Sequence, residues 1–329
     1  MLLENKKVLV TGAGGFVGSH LVERLVEKGN LVRCFVRYNS RNDSGLLQGL
    51  SCFGSDGMEV FCGDLKNPDS VRKAVESVDV VFHLGALISI PYSYVDPAEV
   101  VETNVLGTLN VMQACRDHKV KKVIHTSTSE VYGTARYVPM DESHPLQAQS
   151  PYSASKIGAD KIVESYMDTY DLPAVIIRPF NAYGPRQSAR AVIPTIITQA
   201  LTLDYVRLGN VETIRDYTFV GDLADAFIKA AESEEALGKL MNIGANKEIS
   251  IGDLARKIVE LTGRGSKIMM DEKRLRPARS EVMRLKADNT VAKGILGWQP
   301  QVSLDRGLAL TVDWVSKHLD RYQIGGYVI

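Results

Sequence analysis

Glycines spaced three apart, set between an apolar strand and an amphipathic helix, leave this chain few folds to adopt. The run Thr11-Gly12-Ala13-Gly14-Gly15-Phe16-Val17-Gly18 follows directly on the apolar stretch Lys7 to Thr11. Gly12 permits a tight turn, Gly15 lets a diphosphate approach the backbone, and Gly18 lets the helix pack against the strand. The helix is expected over Phe16 to Lys28, with Val17, Leu21, Leu25 and Val26 on its apolar face and Gly29 and Asn30 closing it. Its N-terminus would offer free N–H groups and partial positive charge to the phosphates of a dinucleotide. Glycine-rich turns are common in α/β proteins, so the weight of this one comes from its position between strand and helix.

The same alternation continues downstream. Strand-like runs recur at Leu31 to Val36, Glu59 to Cys62, Val78 to Leu84, Lys122 to Ser127 and Ala174 to Ile177, with helical patterns between them, notably Glu99 to His118 and Tyr152 to Tyr170. This predicts an α/β protein with a Rossmann doubly wound parallel sheet, right-handed crossovers and a ligand at the carboxyl ends of the strands. After Arg178 the texture changes to shorter elements punctuated by Pro179, Gly184, Pro185 and Pro194. A smaller C-terminal substrate-binding domain is expected there. The boundaries read as 1–180 for the cofactor domain, with returns near 216–243, and 181–329 for the substrate domain. Asp222 to Glu232 reads as a helix and Leu240 to Ile243 as the return to the sheet. Residues 264–284, rich in charge and poor in periodicity, read as a loop-bearing lid.

A length of 329 residues suits two domains. Lys plus Arg and Asp plus Glu are 39 each, so no whole-protein field exists to hold nucleic acid or an anionic membrane. Anionic ligands must be held locally. The N-terminus shows no secretory pattern, and the most apolar window, Val80 to Ile90, is broken by His83 and Ser89 and is too short to span a bilayer. Cys34, Cys52, Cys62 and Cys115 form no C-x-x-C pair, and the six histidines show no ligand spacing. Free thiols in a reducing cytoplasm, and no metal, are the expectation.

The dinucleotide is NAD or NADP. An acidic residue closing the second strand would hold the adenosine ribose of NAD, but the chain reads Val36-Arg37-Tyr38-Asn39-Ser40-Arg41. Arg37, with Ser40 or Arg41, would instead neutralise the extra phosphate of NADP, giving a modest lean to that cofactor; the alternative is that Arg37 stacks on adenine. Asp64 is placed to accept from the adenine amino group, or equally to cap a helix. Phe16, Val17, Leu65 and Leu84 complete the expected cofactor wall.

Tyr152-Ser153-Ala154-Ser155-Lys156 puts a phenol and an ammonium one turn apart on one helical face. A tyrosine with its ordinary pKa of about 10 is a poor base at neutral pH. A neighbouring lysine and an oxidised nicotinamide would both favour the phenolate. The preceding strand ends Thr126-Ser127-Thr128-Ser129-Glu130, bringing hydroxyls and a carboxylate toward the same cleft.

The glycine motif, the hydroxyl-bearing strand end and the Tyr-Lys pair, in this order, resemble the extended short-chain dehydrogenase/reductase family of nucleotide-sugar enzymes. Arg178-Pro179-Phe180-Asn181-Ala182-Tyr183-Gly184-Pro185, Arg215-Asp216-Tyr217-Thr218-Phe219-Val220 and Arg276-Pro277 look like its later motifs. The resemblance implies a tightly held nicotinamide cofactor, a nucleotide-sugar substrate and a homodimer, with Glu99 to His118 and Tyr152 to Tyr170 as the interface helices. It also implies residue roles. Thr128 would bond the sugar 4-hydroxyl, Tyr152 would remove its proton, and Lys156 would hold the nicotinamide ribose and lower the tyrosine pKa. Asn181, Arg215 and Arg276 would grip the substrate diphosphate, with Ser89 and Arg190 as further contacts; arginine forks suit phosphate oxygens.

Glu130 discriminates among the reactions. Once carbon 4 is a ketone, a carboxylate can abstract the carbon 5 proton and promote loss of the 6-hydroxyl, whereas a 4-epimerase needs no such base. The Thr128-Ser129-Glu130 triplet looks like that of sugar-nucleotide 4,6-dehydratases, especially the GDP-mannose type. An aspartate occupies the Ser129 position in the dTDP-glucose type, so Glu130 would shuttle the departing proton here. The triplet also resembles that of UDP-glucuronate decarboxylases, but the surroundings of Tyr152 look dehydratase-like. The stretch Tyr132 to Lys156, with Ala189 to Pro194, most resembles dehydratases of legionaminic acid-type pathways acting on an N-acetylglucosamine nucleotide. The order of preference is dehydratase, 4-epimerase, decarboxylase. A plain buried carboxylate at Glu130 and a non-catalytic cofactor-binding relative are the remaining readings; the second would be expected to lose one of Thr128, Glu130, Tyr152 or Lys156, and all four are present.

Overall fold

A computed structural model describes residues 2–325, so the outermost positions of the expected domain ranges, 1 and 326–329, lie outside the described residues. The chain runs β1 (Lys7–Thr11), α1 (Phe16–Glu27), β2 (Leu31–Arg37), β3 (Met58–Gly63), α2 (Pro68–Val75) and β4 (Val80–His83). Then come α3 (Ile90–Val95), α4 (Pro97–Val101), α5 (Gly107–Asp117), β5 (Lys122–Thr126), α6 (Pro151–Tyr170) and β6 (Ala174–Pro179). The next stretch holds β7 (Asn181–Tyr183), α7 (Val192–Thr202), β8 (Tyr205–Leu208), β9 (Ile214–Arg215), β10 (Tyr217–Phe219), α8 (Val220–Glu232) and β11 (Leu240–Ile243). The chain ends through β12 (Ile249–Ser250), α9 (Ile251–Thr262), β13 (Lys267–Met270), α10 (Thr290–Leu296) and α11 (Leu304–Lys317).

Seven strands form one parallel sheet in the order β11-β6-β5-β4-β1-β2-β3. The order reverses between β1 and β4, the place where a doubly wound sheet opens a crevice at its carboxyl edge. Strands read as continuous apolar runs because both faces are covered. Val8 and Val10 of β1 join the cluster packed with α1 and α8, while Leu9 between them joins the opposite cluster with α2, α5 and α6. Leu240 to Ile243 pairs in register with Ile176 to Pro179, which is the return expected from the sequence. A third cluster, built from α7, α9, α11 and β8, lies in the C-terminal portion. No helix among the described residues is long and apolar enough to cross a membrane.

Three expectations need correction. Glu99 to His118 is helical throughout as far as Asp117 but not uniformly α: α4 and α5 are joined without a break by a π-helical turn over Glu102–Leu106. Asn104 in that turn bonds Leu87 through both its oxygen (2.8 Å) and its nitrogen (2.9 Å), a tertiary hold that apolar spacing does not encode. The stretch after Arg178 is not made only of short elements, since α7, α9 and α11 have 11, 12 and 14 residues. Pro194 falls in the first turn of α7, where its missing N–H costs nothing. Residues 264–284 are also more than a loop, because β13 pairs in parallel with β8. The rest of that segment is tied down: Gln149 Nε2 donates to the carbonyls of Arg279 (3.1 Å) and Glu281 (3.3 Å), and Ser280 Oγ donates to the carbonyl of Gln149.

Candidate active site

One continuous cleft of about 1020 Å³ opens at the carboxyl edge of the sheet, and residues from both ends of the chain line it. Gly12 sits at φ +69°, and a Cβ there would lie 2.9 Å from the Gly85 backbone, so the ends of β1 and β4 meet only because side chains are absent. His83 secures the junction. Its Nδ1 lies 2.8 Å from Thr11 Oγ1 and its Nε2 3.0 Å from Thr108 Oγ1, and burial holds its pKa well below the ordinary histidine range. A Cβ on Gly18 would stand 2.2 Å from Gly12 O, so the helix rests directly on the turn. Gly15 caps α1 without any side chain occupying the first-turn N–H groups. Those free donors, at the edge of the cleft, fit the diphosphate of a dinucleotide.

Phe16, Val17, Arg37, Asp64, Leu65 and Leu84 all line the cleft. Arg37 Nη1 lies 3.4 Å from Glu99 Oε1, so its charge already has a partner. Asp64 does not cap α2, whose N-cap is Asn67; its Oδ1 accepts from Lys66 N at 2.9 Å. Ser40 is exposed and lies outside the lining. Sequence reasoning missed Asp43, Ser44, Gly45 and Leu46, which line the cleft where Leu46 N donates to Gly14 O at 3.0 Å. Thr103, from the π-helical turn, was missed too.

The helix bearing the Tyr-Lys pair is fixed by reciprocal capping. Ser150 Oγ accepts from Ser153 N at 3.1 Å, Ser153 Oγ engages Ser150 N at 3.0 Å, and Pro151 occupies the first turn. This sets Tyr152 on the cleft with Thr128, Ser129 and Glu130. Thr128 caps the 129–132 turn, its hydroxyl accepting from Glu130 N at 3.2 Å. Burial pushes the Tyr152 phenol above its ordinary value, a Thr128 hydrogen bond pulls it down, and the Glu130 charge pushes it up again.

Burial outweighs the Thr128 bond, so the phenol stands above its ordinary value in this structure. Lys156 is buried beneath the cleft, with Nζ donating to Thr126 O at 2.7 Å, and burial lowers its own pKa to about 8. Asp160, one turn on, opposes that fall. It also accepts from Ser127 Oγ at 2.7 Å and from Arg178 Nη2 at 2.9 Å, and its other oxygen lies 3.3 Å from His125 Nε2.

Ser89, Asn181, Arg190, Arg215 and Arg276 line the far part of the cleft. The Ser89 hydroxyl caps α3, accepting from Tyr92 N at 3.3 Å. Asn181 Nδ2 donates to Asp216 O at 3.3 Å. Arg215 is buried, its Nη2 3.7 Å from Glu281 Oε1, and the charge of Glu130 also acts on it. Arg276 Nη1 stands 3.9 Å from the same Glu281 oxygen and has no hydrogen-bond partner. Two arginines facing one carboxylate leave cationic capacity for an anion. Glu281, Gln187, Ser188 and Arg274 line the cleft without having been singled out as site residues, and so do Trp314, Arg321 and Tyr322 from the C-terminal end; Arg186, a candidate contact from the sequence, lines it too and pairs with Glu23.

The sequence pattern of the GDP-mannose 4,6 dehydratase family matches residues 9–311. The chain belongs to the NAD-dependent epimerase/dehydratase family of extended short-chain dehydrogenases/reductases. It is similar to the UDP-glucose 4-epimerase of Mycolicibacterium smegmatis, 36% identical over 94% of this chain and 98% of that one. It is also similar to the dTDP-D-glucose 4,6-dehydratase of Mus musculus, 31% identical over 97% and 91%. Among solved structures, DesIV, the dTDP-glucose 4,6-dehydratase of Streptomyces venezuelae with NAD and TYD bound, superimposes with a TM-score of 0.87 at 28% identity, covering 96% of this chain and 99% of that one. The chain is thus an enzyme of the nucleotide-sugar dehydratase and epimerase family, which contains both reaction types among close relatives.

Proposed function

We propose that this enzyme is a nucleotide-sugar 4,6-dehydratase that acts on an N-acetylglucosamine nucleotide, of the kind used in legionaminic acid-type pathways. The observation that carries the reading is Glu130, a carboxylate lining the cleft beside Tyr152 and Thr128 and acting electrostatically on both Tyr152 and Arg215. Thr128 orients the sugar 4-hydroxyl and Tyr152 takes its proton. Lys156, anchored on Thr126 O, holds positive charge behind the phenolate. A bound nicotinamide, NAD or NADP, supplies hydride acceptance from carbon 4 and hydride return to carbon 6. Glu130 then removes the carbon 5 proton, made acidic by the adjacent ketone, and delivers a proton to the departing 6-hydroxyl, with the buried Ser129 hydroxyl beside it. Arg215 and Arg276 hold the diphosphate, with Asn181, Ser89 and Arg190 as further contacts.

The division of labour between 1–180, with returns near 216–243, and 181–329 is supported by the separate third hydrophobic cluster. Exposed Val101, Leu106 and Tyr170 on the α4 to α6 region support a homodimer through those helices. Four unpaired cysteines accord with work in the cytoplasm.

The test is mass spectrometry of products from UDP, GDP and dTDP forms of N-acetylglucosamine. A product lighter by one water is expected. A product of unchanged mass would establish the second reading, 4-epimerase, which the 36% identical relative favours.

A further inference from the structure

The C-terminal turn Leu319–Arg321 reaches the cofactor end of the cleft rather than the substrate end alone. An Nη atom of Arg321 lies 3.5 Å from where a Cβ of Gly49 would stand. Gly49 ends a helical turn over Gly45–Gly49, and the start of that turn is laid across the glycine loop: a Cβ on Gly14 would meet Ser44 O at 2.6 Å. Arg321, Ser44, Gly45 and Gly14 all line the same cleft.

The neighbouring Tyr322 is buried and its hydroxyl donates to Gln187 O at 2.8 Å, which fixes the C-terminal turn to the 184–187 segment. That segment is in turn held to α1 by Arg186, whose Nη2 pairs with Glu23 at 2.6 Å. Three stretches far apart in sequence therefore meet on one side of the cleft, against the body of α1 and the turn that crosses the glycine loop.

Charge separates Arg321 from its neighbours. Arg186 is matched by Glu23 and Arg37 by Glu99. Among the described residues no carboxylate pairs with Arg321; its guanidinium lies 6.0 Å from the Trp314 ring, and its charge acts on the neighbouring Tyr322 phenol. An exposed cation with no carboxylate partner, lining the cleft that the free first-turn N–H groups of α1 also face, is suited to a phosphate.

We propose that Arg321 is a cofactor-binding residue contributed by the C-terminal turn, its guanidinium engaging a phosphate of the dinucleotide. The inference rests on the nicotinamide cofactor and not on the choice between dehydration and epimerisation. Two phosphates of one chemistry could be its partner, the pyrophosphate common to both cofactors and the adenosine 2′-phosphate of NADP, and the experiment tells them apart.

The full-length protein, freed of nucleotide, is titrated with NADH and NADPH in the absence of sugar, comparing the native chain with Arg321→Ala, Arg321→Lys and Tyr322→Phe, with thermal unfolding as the control for folding. Arg321→Ala weakens binding about tenfold or more. The loss falls on both nucleotides when the pyrophosphate is the partner and on NADPH alone when the 2′-phosphate is. Arg321→Lys recovers part of the loss, and Tyr322→Phe, which keeps the charge but loosens its mooring, gives a smaller loss. Unchanged affinity for both nucleotides in a folded Arg321→Ala protein overturns the proposal, and so does a loss that lysine does not reduce at all. Product analysis is unaffected by either outcome, so failure here leaves the dehydratase reading where it stood.

Discussion

Lys156 Nζ donates to the backbone carbonyl of Thr126 at 2.7 Å, so the ammonium of the Tyr-Lys pair grips the strand end from beneath. Its charge is maintained against burial by Asp160, whose carboxylate also answers Arg178 and Ser127. Asp160→Asn therefore uncovers two cations at once. Loss of about 3–5 kcal/mol of stability is expected, read by urea unfolding. The Lys156 pKa of about 8 should fall further, so the alkaline decline of kcat/KM moves to lower pH. An alkaline limb that stays in place would detach Asp160 from the lysine.

Glu130→Gln keeps the shape of the side chain and removes its basicity. Water loss should slow by about a hundred- to ten-thousandfold. Reduced nicotinamide should still form and be visible by its absorbance, because the first proton belongs to Tyr152. Normal dehydration by this variant would leave Glu130 with a structural role.

Two glycine-to-alanine changes should have opposite signs. In Gly18→Ala the new Cβ would meet Gly12 O at 2.2 Å, pushing α1 off the turn, so the purified variant should carry little nucleotide and melt lower. Gly294→Ala, inside α10 with nothing within 4 Å, should gain about 0.5–1 kcal/mol. Calorimetry of both variants reads the contrast.

Arg37→Ala should weaken NADP more than NAD. Because Glu99 faces Arg37 at 3.4 Å, Glu99→Gln should move the preference the other way by freeing the guanidinium. Equal effects of Arg37→Ala on both cofactors, measured by fluorescence titration, would remove the preference inferred from that arginine.

Much of this arrangement was legible because it is local. A strand, a glycine turn and an amphipathic helix are neighbours in sequence, and so are Tyr152 and Lys156, so spacing alone places them. Asp43 to Leu46 were not legible, since nothing in Asp43-Ser44-Gly45-Leu46 by itself says that it will fold across Gly14. The π-helical turn depends on Asn104 meeting Leu87, and β13 depends on meeting β8 some 60 residues earlier in the chain, Lys267 pairing with Tyr205. Arg321 and Tyr322 reach the cleft only through α11 packing into the C-terminal cluster, a contact between distant segments that no periodicity reports.

The late arrival of β11 also has a bearing on how the chain is made. The sheet is drawn from the first 179 residues except for its outermost member, Leu240–Ile243, which hydrogen-bonds to β6 only after β7 through α8 have been synthesised. A nascent chain that has emerged as far as residue 180 presents β6 as a bare parallel edge, open to wrong partners. The ribosome thus leaves the cofactor half one strand short until residue 243 is out, and a fragment cut at 180 would inherit that open edge permanently.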